Sequence, residues 1–446
     1  MPNNIIVNKF GGGILKKDYI PLIRERLLDQ ISNNKKPVAI VSAMPGITDN
    51  ILDFLNKLKE NYNNEIIDNF IEKLFTQHKI IIEDIGISGV SYENVILELR
   101  NILDLLSNDL KKFTFASNEI EDKIVSFGER ISSIIFTEYL NFSGLKSYKI
   151  FAEDIPIVTD NNFKNANINY LISEKNLNKY SVENDKGILV IPGFTGTTND
   201  GKITTLGRGG TDTTACFVGA SFRAEKIILW KDVGGILSSD PKIIKKTKTI
   251  PFINYYEAEE AGKIIHEKAI PFVKMFKTPI EINSIVNPKL KTVIGDEKIT
   301  KKGAKILSLK KDLDFILITD ESIRFNDLLS LVVDIFDKYK IEITLISNTR
   351  YSLQILIDDK NKQLENAYNE LLPKVEKIEK TKADMVFLVG LFEEKDVSKF
   401  NNLLVKKGVD LLISAFYYED CYRMEAIIKS NNINDVMKSV YKKFIR

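Results

Sequence analysis

The 446-residue sequence predicts an α/β chain: a mostly parallel, doubly wound sheet with helices on both faces, followed by two smaller α+β modules. Three observations carry that prediction. From its start the chain runs strand, glycine turn, helix, and then repeats the order. A β-α-β-β-α-β pattern later occurs twice, from residue 314 and again from residue 384. Hydrophobic residues make up 44% of the chain. That is enough for real cores, and the length suits two to four domains at roughly 100–200 residues each.

Taken in order, residues 5–10 (IIVNKF) read as a short buried strand that runs into Gly11-Gly12-Gly13. A helix is expected over 18–32. Residues 38–42 (VAIVS) form a second strand, ending at Met44-Pro45-Gly46, with a helix from about 49. Residues 50–115 carry apolar side chains at three and four spacing, as in Leu52, Leu55, Leu58 and in Ile96, Leu99, Leu103, Leu106. This predicts a helical cap or insertion without chemistry, with His78 a surface or partly buried helix residue. Strands resume at 147–150, 188–192 (ILVIP) and 227–230 (IILW), with a helix over 213–224. Residues 280–286 close this region.

After about 294 the character changes. Strands are expected at 304–309 and 314–319, then a helix over 326–338, strands at 341–347 and 351–357, a helix over 361–372 and a strand near 375–379. The second copy reads 384–391, helix 395–407, strands 409–415 and 421–428, helix 433–444. That copy is one strand short, while 304–309 is one too many. The economical solution lets 304–309 complete the second copy's sheet, with the first copy inserted between. The expected domains are therefore 1–296, 304–381 and 382–446.

Composition excludes several functions. Lys plus Arg is 63 and Asp plus Glu is 61, a net charge of +2. This argues against sequence-independent nucleic-acid binding and against a polybasic membrane surface. Two cysteines, Cys216 and Cys421, exclude a disulfide scaffold or a four-cysteine zinc site, and both read as core residues. Two histidines, His78 and His266, exclude a His-rich metal site. The start of the chain lacks a signal peptide, and no run approaches ~18 apolar residues. A cytoplasmic location is expected.

Five segments could carry chemistry. Lys9-Phe10-Gly11-Gly12-Gly13 sets a point charge beside bare amides, which phosphate oxygens need, although a structural turn explains it equally well. Ser42-Ala43-Met44-Pro45-Gly46-Ile47-Thr48-Asp49 suits a ligand at a strand's carboxyl edge or a plain helix cap. Ser126-Phe127-Gly128-Glu129-Arg130, read as opening an apolar helix, offers either a surface salt bridge or a carboxylate for a substrate ammonium group. Thr204 to Ala215 (TTLGRGGTDTTA) is the most informative. Its glycines permit close approach, Arg208 suits a carboxylate, and Asp212 could ligate Mg²⁺ or pair with an ammonium group. Finally, Trp230 to Lys242 (WKDVGGILSSDPK) ends a strand with lysines and acids that fit a nucleotide pocket or a polar loop.

Together and in this order, these segments resemble aspartate kinase of the amino acid kinase superfamily, over essentially the whole chain. The repeated C-terminal modules look like that family's paired, interleaved ACT domains. The resemblance implies transfer of the γ-phosphoryl group of ATP to the side-chain carboxylate of L-aspartate. It implies that Lys9 and Asp212 are catalytic. Ser42, Thr48, Glu129, Arg208, Gly209, Gly210 and Thr211 would hold aspartate. Lys9, Gly11, Gly12, Gly13, Lys231, Asp232, Leu237, Lys242 and Lys263 would hold ATP, with Mg²⁺ carried on the phosphates. The scarcity of histidine fits: a carboxylate nucleophile (reference pKa ~3.9) is ionised at neutral pH and needs no base.

The sequence departs from the family in four places. Gly12-Gly13-Ile14 lacks the usual hydroxyl residue. Lys231 replaces a threonine. The segment 257–266 is about four residues short, roughly one helical turn, and Glu267 replaces a proline. In the first module the helix begins Phe325-Asn326-Asp327-Leu328 without glycine, and Thr344 and Arg350 stand where lysine-sensitive members carry acids. Weak or absent inhibition by lysine is therefore expected, with room for another amino-acid effector. A homodimer or dimer of dimers through the ACT domains is expected, and the end at Arg446 predicts a kinase without a fused dehydrogenase. Two competing readings are a superfamily kinase for another amino acid or carboxylate, and a non-catalytic ACT regulatory protein.

Overall fold

The computed structural model describes the chain apart from residues 1–3, 114–116, 152, 155–156, 178, 180–186, 262–264, 298–301, 360–361, 417–421 and 446, and apart from the side chains of 414–416. The described residues fall into two compact units, one of 1–236 with 249–298 and one of 237–248 with 299–446. The segment 237–248, expected in the first domain, thus groups with the second unit. Cys421 lies outside the described residues.

The first unit runs β1 (Ile5–Phe10), α1 (Ile20–Ser32), β2 (Lys36–Val41), α2 (Ile47–Glu60), α3 (Asn64–Asp84), α4 (Gly89–Lys111) and α5 (Asn118–Phe142). It continues with β3 (Ser147–Lys149), α6 (Tyr170–Leu177), β4 (Ile188–Pro192), β5 (Thr195–Thr197), β6 (Ile203–Thr205), α7 (Gly210–Ser221) and β7 (Lys226–Lys231). After the short strands β8 (Ile236–Leu237) and β9 (Thr249–Ile250) come β10 (Phe252–Asn254), α8 (Tyr255–Ala261), α9 (Ile270–Phe276), β11 (Ile280–Ser284) and β12 (Lys291–Gly295). Eight strands form one sheet in the order β10-β12-β11-β7-β1-β2-β4-β3. All its neighbours are parallel except β11 and β12. Strands covered on both faces need continuous apolar runs, and β1, β2 and β4 are buried almost throughout.

The helical stretch packs Leu74, Leu99, Leu103 and Leu106 into the same core as β1 and β2. His78 was expected at or near the surface, but it is fully buried there. Its Nδ1 meets Leu74 O at 2.8 Å, and burial lowers its pKa to about 4. A second correction concerns residues 126–130. They lie in the middle of α5, which starts earlier, where Ser117 caps the helix by accepting from Ile120 N. No helix among the described residues is long and apolar enough to cross a membrane.

The second unit contains β13 (Gly303–Thr319), α10 (Phe325–Lys338), β14 (Ile343–Asn348), β15 (Ser352–Ile357), α11 (Leu364–Leu371), β16 (Lys377–Leu391), α12 (Glu394–Lys406), β17 (Asp410–Phe416), β18 (Arg423–Lys429) and α13 (Ile433–Phe444). Its antiparallel sheet has the order β14-β15-β13-β16-β18-β17. The strands expected at 304–309 and 314–319 are one strand. Its polar middle is absorbed by a register shift between Lys310 and Leu313, with Asp312 in the left-handed region (φ 57). Likewise the strand expected near 375–379 begins at Lys377 and runs on through 384–391 as a single β16. Residues 303–310 pair with 385–391, and 384–389 pair with 423–428, whereas 313–319 pair with 377–383 and, from Asp314 on, with β15.

Candidate active site

β1 lies between β2 and β7, so chain order reverses at its carboxyl end, where an open parallel sheet leaves a crevice. Lys9, next to last in β1, sits in register with Ile40 and Leu229. Its Nζ pairs with Asp212 Oδ1 at 2.7 Å, with both side chains 14% exposed. Asp212 occupies the first turn of α7. This helix begins at Gly210, three residues earlier than the sequence suggested. A carboxylate there faces the positive end of the helix.

The loop after β2 is packed against α5. Gly128 makes this possible, because a Cβ at that position would stand 3.0 Å from Ala43 Cβ. The close approach sets Glu129 under the loop, where it is 3% exposed. Glu129 Oε1 accepts from Ala43 N at 3.1 Å and from Ser42 Oγ at 3.5 Å. Oε2 is buried without a hydrogen-bond partner. Burial raises the Glu129 pKa to about 7 against the opposing pull of the Ala43 amide, the Ser42 hydroxyl and the Lys9 charge. Glu129 and Arg130 make no ion pair with each other. Arg130 reaches Glu153 at 3.0 Å instead and lies against the Phe127 and Phe151 rings.

Thr211 Oγ1 donates to Ser42 Oγ at 3.4 Å, tying the start of α7 to the same loop. Gly209 precedes the helix in the left-handed region (φ 71), and a Cβ there would lie 2.6 Å from His266 Cβ. His266 is therefore a packing partner of this loop, and its Nδ1 accepts from Lys268 N at 3.4 Å. Arg208 is exposed, and no ion pair forms on it among the described residues. These groups surround a cleft of about 610 Å³. A cation beside a glycine turn, a buried carboxylate oxygen without a partner and an exposed guanidinium together suit a small zwitterion next to a phosphate group.

Residues 4–284, more than half of the chain, match the amino acid kinase family. The chain belongs to that family. It is similar to chloroplastic aspartokinase 1 of Arabidopsis thaliana, 28% identical over 368 residues, which covers 79% of this chain and 63% of that protein's length. Its fold is that of E. coli aspartokinase III in complex with lysine and aspartate, with a TM-score of 0.82 at 20% identity and complete coverage of both chains. The same E. coli protein with aspartate and ADP gives a TM-score of 0.80 at 20% identity, covering 98% of this chain and 99% of that one.

In this amino acid kinase, the residues singled out in the sequence divide by place. Lys9, Ser42, Thr48, Glu129, Arg208, Gly209, Gly210, Thr211 and Asp212 line the one cleft. Gly11, Gly12 and Gly13 follow β1, and Lys231 and Asp232 end β7. They share that edge of the sheet without lining the cleft. Leu237 and Lys242 fall in the segment that groups with the second unit. Lys263 lies outside the described residues. Sequence reasoning missed Asp122, Glu121, Lys164 and Phe194, all of which line the cleft. One signal was available: Asp122 precedes Glu129 by two helical turns and so shares its face.

Proposed function

We propose that this amino acid kinase is an aspartate kinase. It transfers the γ-phosphoryl group of ATP to the side-chain carboxylate of L-aspartate, giving 4-phospho-L-aspartate, the first step toward lysine, threonine and methionine. The observation that carries this reading is the unpartnered Glu129 Oε2, buried in the same cleft as Lys9 and Arg208. An α-ammonium group is the natural complement of that oxygen, and Arg208 suits the α-carboxylate. The similarity to proteins named aspartokinase supports the same substrate.

Chemically, a side-chain carboxylate oxygen forms a bond to the γ-phosphorus while the bond to the β-γ bridging oxygen breaks, and ADP leaves. The nucleophile is already ionised, so the site needs position and charge rather than a base. Lys9 neutralises charge on the transferring group. The Gly11–Gly13 turn, Lys231 and Asp232 serve the nucleotide. Among the described residues no group of three or more His, Cys, Asp or Glu side chains could hold a metal by itself. Mg²⁺ carried on the ATP phosphates would offset their charge, and Asp212 is the side chain that would hold it.

The second unit carries two ACT domains, 304–381 and 382–446, with 304–309 shared between their sheets. It would form the homodimer contacts and receive an amino-acid effector. Lysine is a weak effector or none, because Thr344 and Arg350 offer its ammonium group no carboxylate. The activity belongs in the cytoplasm. Hydroxylamine trapping with ATP, Mg²⁺ and a panel of amino acids tests the reading. Hydroxamate from L-aspartate is expected, and its absence from folded protein would refute it.

A further inference from the structure

Asp122 is 1% exposed, yet the transfer chemistry gives it no part. Its Oδ2 accepts from Thr205 N at 2.7 Å and from Lys164 N at 2.8 Å, and its Oδ1 accepts from Thr205 Oγ1 at 2.9 Å. A buried carboxylate is costly unless so satisfied, and a core position would not call for one. What it joins is informative. Thr205 ends β6 and leads directly into the Gly207–Thr211 loop. Lys164 belongs to a strap, residues 160–168, that lies under this loop. Asn165 Oδ1 stands 2.7 Å from where a Cβ of Gly207 would be, and Ala166 N donates to Thr205 O at 2.9 Å. From the other side Lys268 Nζ donates to Asn165 O, Asn165 Oδ1 and Ala166 O at 2.8, 2.6 and 3.2 Å.

Asp122 and Glu129 stand seven residues apart on α5, two turns along one face. We propose that Asp122 is a positioning residue for the amino-acid substrate: it fastens the Arg208–Thr211 loop to the helix that carries Glu129. This fixes the separation between the carboxylate-binding and ammonium-binding arms. Both arms must engage one small molecule together, so a loop that drifts weakens substrate binding and leaves the nucleotide arm unchanged.

The inference rests on the aspartate kinase reading, and its test separates the two. Asp122→Asn keeps the shape but turns one acceptor oxygen into a donor facing donors. Steady-state hydroxamate kinetics should show the aspartate KM raised about tenfold with the ATP KM changed by less than about twofold. Hydrogen exchange by mass spectrometry on the substrate-free protein should show faster exchange at Lys164 and Thr205 and through 203–212, with no change in α3 and α4. A merely structural role would lower the melting temperature and leave both KM values alone. That result, or equal rises in both KM values, or unchanged exchange in 203–212, would overturn the proposal. If wild type makes no hydroxamate, the functional reading fails, and the clamp stands or falls on the exchange data. If Asp122→Asn does not fold, Thr205→Val removes one of the three bonds and should raise the aspartate KM about threefold on the same pattern.

Discussion

The two sheets of this protein use their strand ends differently. In the eight-stranded, mostly parallel sheet the strands are three to six residues long, and β1, β2 and β7 each hand the chain to a loop at the carboxyl end. At the carboxyl end of β1, polar groups brought in by α5 and by the loop after β6 are incompletely paired: Glu129 Oε2 has no hydrogen-bond partner, and Arg208 stands in the open. In the six-stranded antiparallel sheet two long strands, β13 and β16, pair with each other over nearly their whole length. Two of its acids lie on cations: Asp314 meets Lys382 at 2.9 Å and Glu425 meets Arg423 at 2.5 Å. Parallel connections leave a crevice at the switch point, whereas antiparallel pairing consumes the ends in hydrogen bonds. The open cleft therefore belongs to the first unit, and the long closed pairing to the second.

The largest expected effect tests that division at its active end. Lys9→Ala should lower hydroxamate formation about 10³-fold with the fold retained, because the charge facing the phosphoryl group is lost. A variant keeping a tenth or more of the wild-type rate would break the comparison. In the second unit, Phe400 is fully buried and packs edge-on to Phe444 with centroids 5.8 Å apart. Phe400→Ala should cost about 3–5 kcal/mol of stability in a denaturant titration. Turnover by the folded fraction should stay within about twofold of wild type.

A smaller effect comes from Glu129, whose pKa burial raises to about 7. Its ionised fraction falls as pH drops through that value, so the aspartate KM should rise on the acid side and level off on the basic side. Glu129→Gln should flatten this profile and raise the KM about tenfold at neutral pH. An inflection that survives in the variant would assign the titration to another group. The smallest effect sharpens the second sheet. Asp312 holds a left-handed conformation at the bulge of β13. Asp312→Gly should change the melting temperature by no more than about 4 °C and leave both KM values unchanged.

Much of this was legible before any coordinates. The apolar runs at 5–10 and 38–42 read as buried strands, and the TTLGRGG run was hard to explain as scaffold alone. The misses share a cause. Gly128 looks like the start of a helix until Ala43 is seen against it. Asp122 stands out in no local pattern, because its partners Lys164 and Thr205 lie in distant segments. Lys310-Lys311-Asp312 reads as a turn, because a bulge and a turn favour the same polar residues. Local pattern reports elements, whereas close approach and clamps depend on contacts made far along the chain.

The long pairing of β13 with β16 also bears on how the protein is made. Gly303 is in register with Leu391, and Ala304 forms a bridge with Ile445. On a ribosome the first strand of the second unit must wait, half paired, until the last of these residues has emerged. Such high contact order slows closure and leaves a strand edge open to other chains. During synthesis, then, an edge of β13 stays exposed until β16 has emerged, a period in which a chaperone can shield it.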